Sequence, residues 1–324
     1  QRQMCIRDSV VRSADGHCGV VFSVREHPTT RFDGLLGYAP TGGWSGMVHV
    51  RLENLFGTGR SAAVRWYRAA TQLHEVALQY EEPLPPWALV RGSFHMGQSD
   101  TLYTETLWEA GFRWLGQLAQ GWWLELTAGQ RRVEPAGTAP VAASVSWYGG
   151  IISQLQRLSP RDNPVRGVFL RLFPSVRWHH LGQPTQTRRR CAVEGDVESF
   201  LPIRFPFVLR LHGHGRLVWG EGLQYAELYR LGGVQTLRGW RESQVASPKA
   251  GWGGVEGRWL LGQREHVGAS YELGWIEGVG WYWGTGVQWQ LQTAAGLLQL
   301  SLAWGRGDRP WQAKLGVRLL DVGL

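Results

Sequence analysis

From Arg204 to Trp219 the chain changes character at every second residue. Phe205, Phe207, Leu209, Leu211 and Leu217 fall on one face of an extended strand, and Arg204, Arg210, His212, His214 and Arg216 fall on the other. Side chains of a β-strand alternate between faces, so such a stretch has one apolar and one charged surface; a helix would mix the two. The same period recurs along the chain. Val48, Val50 and Leu52 alternate with Met47, His49, Arg51 and Glu53, and His74, Val76, Leu78 and Tyr80 alternate with Glu75, Ala77, Gln79 and Glu81. Val255, Trp259 and Leu261 oppose Glu256 and Arg258; Val267, Ala269, Tyr271, Leu273 and Trp275 oppose Ser270 and Glu272. Val287, Trp289 and Leu291 face away from Gln288, Gln290 and Gln292, and Leu298, Leu300, Leu302 and Trp304 face away from Gln299 and Ser301. A last strand sets Ala313, Leu315, Val317 and Leu319 against Gln312, Lys314 and Arg318.

A soluble sandwich hides one face of every strand in a shared core. Many amphipathic strands with large aliphatics on one side and charges on the other fit a closed barrel better, with lipid outside and a wet lumen inside. Composition agrees. Hydrophobic residues make up 43% of the chain, yet no run approaches the roughly 18 consecutive apolar residues of a spanning helix. The 19 Trp suit the aromatic girdles that transmembrane barrels place at both bilayer boundaries, and the 44 Gly suit tight turns. The expected fold is all-β, a transmembrane antiparallel β-barrel. At roughly 18 residues per strand and connection, Arg31 to Leu320 supplies about 16 strands, an even number as single-chain barrels require. Glu256, Arg258, Glu272, Gln288, Gln290, Arg210 and His212 are expected to point inward.

The net charge of +8 raises the question of nucleic acid, but the arginines are scattered one or two per strand instead of gathered into one basic stripe. A charged lumen and rims in contact with anionic lipid head groups account for them, and no nucleic-acid partner is expected. Cys5, Cys18 and Cys191 do not make a disulfide framework. Residues 1–9 look like non-native read-through and are set aside, so any preceding signal peptide is beyond view.

Several short segments, in order, carry a family resemblance. They are Arg31-Phe-Asp-Gly-Leu-Leu-Gly-Tyr38, the turn Asn54-Leu-Phe-Gly-Thr-Gly59, the Pro-bearing turn Glu82-Pro-Leu-Pro-Pro86, the turn Ser159-Pro-Arg-Asp-Asn-Pro-Val-Arg-Gly167, and the loop Leu231-Gly-Gly-Val-Gln-Thr-Leu-Arg-Gly-Trp240. Together they resemble the BamA/TamA family of outer-membrane assembly barrels, in the bacterial surface antigen superfamily. The resemblance implies that 10–27 is the end of a truncated POTRA domain and 28–324 the barrel, in the outer membrane of a Gram-negative bacterium. It implies insertion of unfolded outer-membrane clients, with accessory lipoproteins possible and with outer-membrane lipids and lipopolysaccharide as surroundings. A two-partner secretion transporter, or a porin or anchor barrel, is the alternative. The chain departs from the family at its end, Leu319-Leu-Asp-Val-Gly-Leu324, where an aromatic is usual.

No paired carboxylates, zinc spacing, nucleophile elbow or phosphate loop is present, so no enzyme activity and no cofactor are expected. His212 and His214 lack a third ligand, His179 and His180 place their rings on opposite faces, and Gly284-Thr-Gly286 precedes no helix. The expected site is the loop motif Gly232, Gly233, Leu237, Arg238, Gly239 and Trp240. Segment 217–250 is expected to fold into the lumen, where Arg238 would meet Glu272 or Glu256, since a guanidinium in a confined lumen needs an anion. Gly34 and Gly37 in the first strand and Gly316 in the last weaken the pairing that closes the barrel and mark a lateral seam.

Overall fold

The computed structural model describes residues 5–12, 18–25, 29–40, 43–68, 73–84, 87–99, 102–136, 141–160, 163–181, 186–233, 236–293 and 296–323. Parts of the segments singled out above lie outside these: residues 1–4, 13–17 and 26–28, Pro85 and Pro86, Arg161 and Asp162, Val234 and Gln235, and Leu324.

Strands β1 (Cys5–Arg12) and β2 (Cys18–Arg25) form a two-stranded antiparallel sheet. The barrel then runs through β3 (Thr30–Ala39), β4 (Gly43–Leu55), β5 (Arg60–Arg68), β6 (Leu73–Leu84), β7 (Ala88–Ser99), β8 (Tyr103–Ala119), β9 (Trp122–Pro135), β10 (Ser144–Ser159), β11 (Arg166–Leu181), β12 (Gln186–Arg204) and β13 (Phe207–Trp219). Two short strands, β14 (Tyr229–Leu231) and β15 (Val245–Ser247), pair with each other inside one long connection. Strands β16 (Lys249–Leu260), β17 (His266–Ile276), β18 (Gly280–Thr293), β19 (Gly296–Gly305) and β20 (Lys314–Gly323) complete the wall. Each barrel strand pairs antiparallel with the next, β13 with β16 across the long connection, and β20 with β3, closing a barrel that leaves no free edge.

Face assignments follow the alternation. Val255, Tyr271 and Leu273 are exposed on the outside, whereas their neighbours Glu256, Arg258, Ser270 and Glu272 are buried inside, as are His212, Gln288 and Gln290. Outward tryptophans gather at both rims. Trp44, Trp147, Trp178, Trp219 and Trp281 stand near the rim that carries the long connection, and Trp87, Trp114, Trp122 and Trp259 near the rim where β3 begins and β20 ends. That is the girdle pattern of a barrel in a bilayer.

Three boundaries differ from the periodicity. Arg204 ends β12 and Phe205 stands 87% exposed in the turn before β13, because Phe205-Pro206 makes a hairpin turn where the alternation alone looked continuous. At the last strand, Pro310–Gln312 forms a single 3-10 turn, so Trp311, Gln312 and Ala313 precede β20. Leu261 lies just past the end of β16, in the turn where its amide donates to the Glu265 carbonyl.

Candidate functional site

The connection from 220 to 248 turns into the barrel. Residues 217–219 and 249–250, expected as part of it, belong to the flanking strands. Its backbone takes positive φ at Gly232 (122°), Gly233 (98°) and Gly239 (81°). Gly239 shows why: any Cβ there would run into the backbone of Trp304 and Gly305 on β19. Only a residue without a side chain brings the loop that close to the wall. The wall is relieved at the same place, since Gly284 is paired with Gly305 and a Cβ on Gly284 would strike the Arg238 carbonyl.

Arg238 is thereby set over the inner face of β16 to β18. Its Nε stands 3.2 Å from Glu272 Oε1 and one terminal nitrogen 3.2 Å from Glu256 Oε2. The other terminal nitrogen donates to Ser270 Oγ at 2.6 Å, and the backbone amide donates to Glu272 Oε2 at 3.1 Å. The structure thus brings the loop arginine together with both expected carboxylates. Glu256 is fully buried and also accepts from Arg210 at 2.9 Å, from Arg258 at 2.5 Å and from the Gln288 amide. Glu272 also faces His212 Nε2 at 3.2 Å. Three guanidiniums converging on one buried carboxylate make its charge indispensable, since any of them left without an anion would carry an uncompensated desolvation cost.

Leu237 and Trp240 do different work from Arg238. Leu237 is wholly buried in an apolar cluster with Leu231, Ala250, Trp252, Ile276 and Tyr282. Trp240 packs against that cluster and meets the Tyr282 ring edge-on at 5.7 Å. Ala250, Trp252, Ile276 and Tyr282 occupy lumen-facing positions, so the lumen at this level is a dry core and not the wet channel the alternation suggested. The plug supplies the other half of that core.

The first part of the connection is held by β12 and, across the barrel, by β8 and β9, which sequence reasoning missed. Arg190, itself buried, binds Glu227 at 3.0 Å and the Gly222 carbonyl at 3.1 Å. Arg131 is held bidentately by Glu105 and donates to the Ala226 carbonyl at 2.5 Å, and Arg230 donates to the Tyr103 hydroxyl at 2.8 Å. Ala226 packs with Tyr103, Val133 and Val141. The segment therefore spans the lumen and is anchored on both sides.

The glycines expected at a lateral seam lie where the wall closes. Gly316 of β20 is paired with Gly37 of β3, and Gly34 is paired with Leu319, the last position before the register breaks. The ladder resumes at Val322 with Phe32, giving seven paired positions against eleven unbroken ones between β16 and β17. β20 is short on its other side too, with seven paired positions to β19.

Among the described residues no group of three or more His, Cys, Asp or Glu side chains is placed to hold a metal ion. His212 and His214 lie with ring centroids 5.5 Å apart and planes tilted by 48°, but each is taken by a carboxylate, Glu272 and Asp196.

No protein-family model matches the sequence, and no curated protein is similar enough to match it. Solved structures do match in fold. BamA from Haemophilus ducreyi lacking POTRA domains 1–3 superposes with a TM-score of 0.67 at 12% identity, over 98% of this chain and 75% of that one. CdiB from Escherichia coli gives 0.67 at 13% identity over 98% and 68% of the two chains, and CdiB from Acinetobacter baumannii gives 0.65 at 8% identity over 98% and 66%. The chain has the 16-strand barrel fold shared by BamA and CdiB.

Proposed function

We propose that this barrel sits in the outer membrane of a Gram-negative bacterium and assembles client proteins into that membrane through the seam between β3 and β20. The observation that carries the reading is the seam itself: the barrel closes on a short ladder with a register break, flanked by glycines. Opening it would expose two strand edges, and an unfolded client strand satisfies such edges by β-augmentation. The lumen meanwhile is crossed by a segment anchored both on β16 to β18 and on β8 and β9 across the barrel, an arrangement that suits a passive pore poorly. On this reading the partners are unfolded outer-membrane proteins, possible accessory lipoproteins, and the surrounding lipids with lipopolysaccharide.

A two-partner secretion transporter is the second reading, favoured by a likeness to CdiB equal to that to BamA. In that case the plug would leave the lumen for a passing substrate and the seam would stay shut. Liposomes carrying the full chain are expected to speed the folding of a urea-unfolded outer-membrane barrel client several-fold over empty liposomes. Equal rates in the two would count against assembly.

A further inference from the structure

Between the plug and the seam lies a chamber of about 520 Å³ whose wall includes β3, β19 and β20. Its lining is rich in donors. Arg210, Arg238, Arg241, Arg258, Lys314 and Arg318 face Glu198, Glu242 and Glu272. Two further carboxylates stand close by, Glu256 binding Arg238 and Asp308 binding Lys314, so six cations meet five anions. Among the described residues, Arg318, on the seam strand itself, makes no ion pair with any of these five carboxylates. Its Nε is buried and has no hydrogen-bond partner among the described residues. The carboxylate that acts on it electrostatically is Asp33, whose Oδ2 lies 3.5 Å from His49 Nδ1. A buried guanidinium nitrogen with no acceptor is costly, and the cost is removed by any ligand that brings a carboxylate.

Register says where such a ligand would stand. Arg318 is paired across the seam with Leu35, which is buried on the lumen side. A strand replacing β3 as the neighbour of β20 would place one side chain directly opposite Arg318, about 5 Å away between Cβ atoms. There Leu35 offers the guanidinium only carbon, whereas Asp or Glu would offer two oxygens. We propose that a client strand pairing with the β20 edge bears a carboxylate at the position facing Arg318, that this side chain enters the chamber, and that Arg318 holds it. The proposal rests on the assembly reading above and names the client chemistry that the β20 edge selects.

Two synthetic strand peptides of alternating apolar and polar residues, identical except for a central Glu or Gln, would be titrated against the full-length barrel in micelles by fluorescence anisotropy at fixed ionic strength. The Glu peptide is expected to bind on the order of tenfold more tightly, as a charge-assisted pair should. Arg318→Gln should abolish that preference while leaving the Gln peptide's affinity unchanged, which also reports that the variant is folded. Arg318→Lys should keep part of the preference, since the charge remains and the fork is lost. Equal affinities in the unaltered protein, a preference that survives Arg318→Gln, or binding of neither peptide would overturn the proposal. Client folding in liposomes is read separately: success there without a Glu preference sinks only the chamber, and failure there with the preference intact sinks the assembly reading.

Discussion

Glu272 holds Arg238 twice, accepting from its backbone amide at 3.1 Å on one oxygen and facing its Nε at 3.2 Å with the other. One carboxylate thus fixes both the path of the loop and the direction of its side chain. Glu256 reaches only the side chain, and shares itself with Arg210 and Arg258. The two acidic residues therefore have separable roles, plug placement for Glu272 and charge compensation of the wall for Glu256.

Glu272→Gln is expected to leave the barrel folded and to loosen the plug. Hydrogen exchange at amides 236–244 should rise by one to two orders of magnitude, in keeping with the loss of about 1.5–3 kcal/mol from a charged hydrogen bond. Glu256→Gln should instead lower the stability of the whole wall, by about 3–5 kcal/mol, because Arg210, Arg258 and Arg238 lose their common anion. Denaturant midpoints of the two variants, measured side by side, distinguish these outcomes.

Gly284→Ala tests plug seating without touching a charge. The added methyl would occupy the space of the Arg238 carbonyl, so the loop backbone must lift away from β18. Exchange protection of 236–244 is expected to fall while that of β17 and β18 stays high. Gly278→Ala is the contrasting variant: an added Cβ there meets nothing within 4 Å, although its positive φ adds strain to the exposed turn.

The far anchor can be released on its own. Glu227→Ala would leave Arg190, 1% exposed, without its carboxylate, at a cost of about 3–5 kcal/mol. Exchange is expected to rise across 221–231 first, with the Arg238 end still protected. If both ends open together, the plug is one cooperative unit instead of a segment with two independent anchors.

Leu237→Ala would remove the loop's contribution to the lumen core beside Trp252, Ile276 and Tyr282. Truncating a fully buried leucine costs about 2–5 kcal/mol. Because the charges are untouched, a shift in Tm of the same size as that from Glu272→Gln would show that apolar packing and ion pairing hold the plug comparably.

Much of this architecture is legible in the chain because a membrane barrel writes its two solvents into alternate residues. Glu256, Glu272 and Arg238 were readable for the same reason: two strand positions of lumen parity and one cation on a glycine-bearing loop. What escaped was complementarity between distant segments. Gly284 and Gly305 look like ordinary strand glycines until the loop backbone is laid against them. Trp252, Ile276 and Tyr282 break the polar lumen pattern only because Leu231 and Leu237 cover them. The Arg131 contact with Ala226 spans 95 residues of sequence, and the Arg230 contact with Tyr103 spans 127, with no local pattern at either end to announce the pairing.

The central claim, that the wall opens between β3 and β20, is tested most directly by locking it. Leu36 and Val317 face each other across the seam, so Leu36→Cys with Val317→Cys places a disulfide between the two strands in a protein whose Cys5, Cys18 and Cys191 are first replaced by serine. The account predicts that the oxidised, verifiably cross-linked barrel stays folded yet no longer assembles clients, and that reduction restores assembly. Full assembly activity in the cross-linked protein would contradict it, and would move the weight to a substrate passing through the lumen with the seam shut.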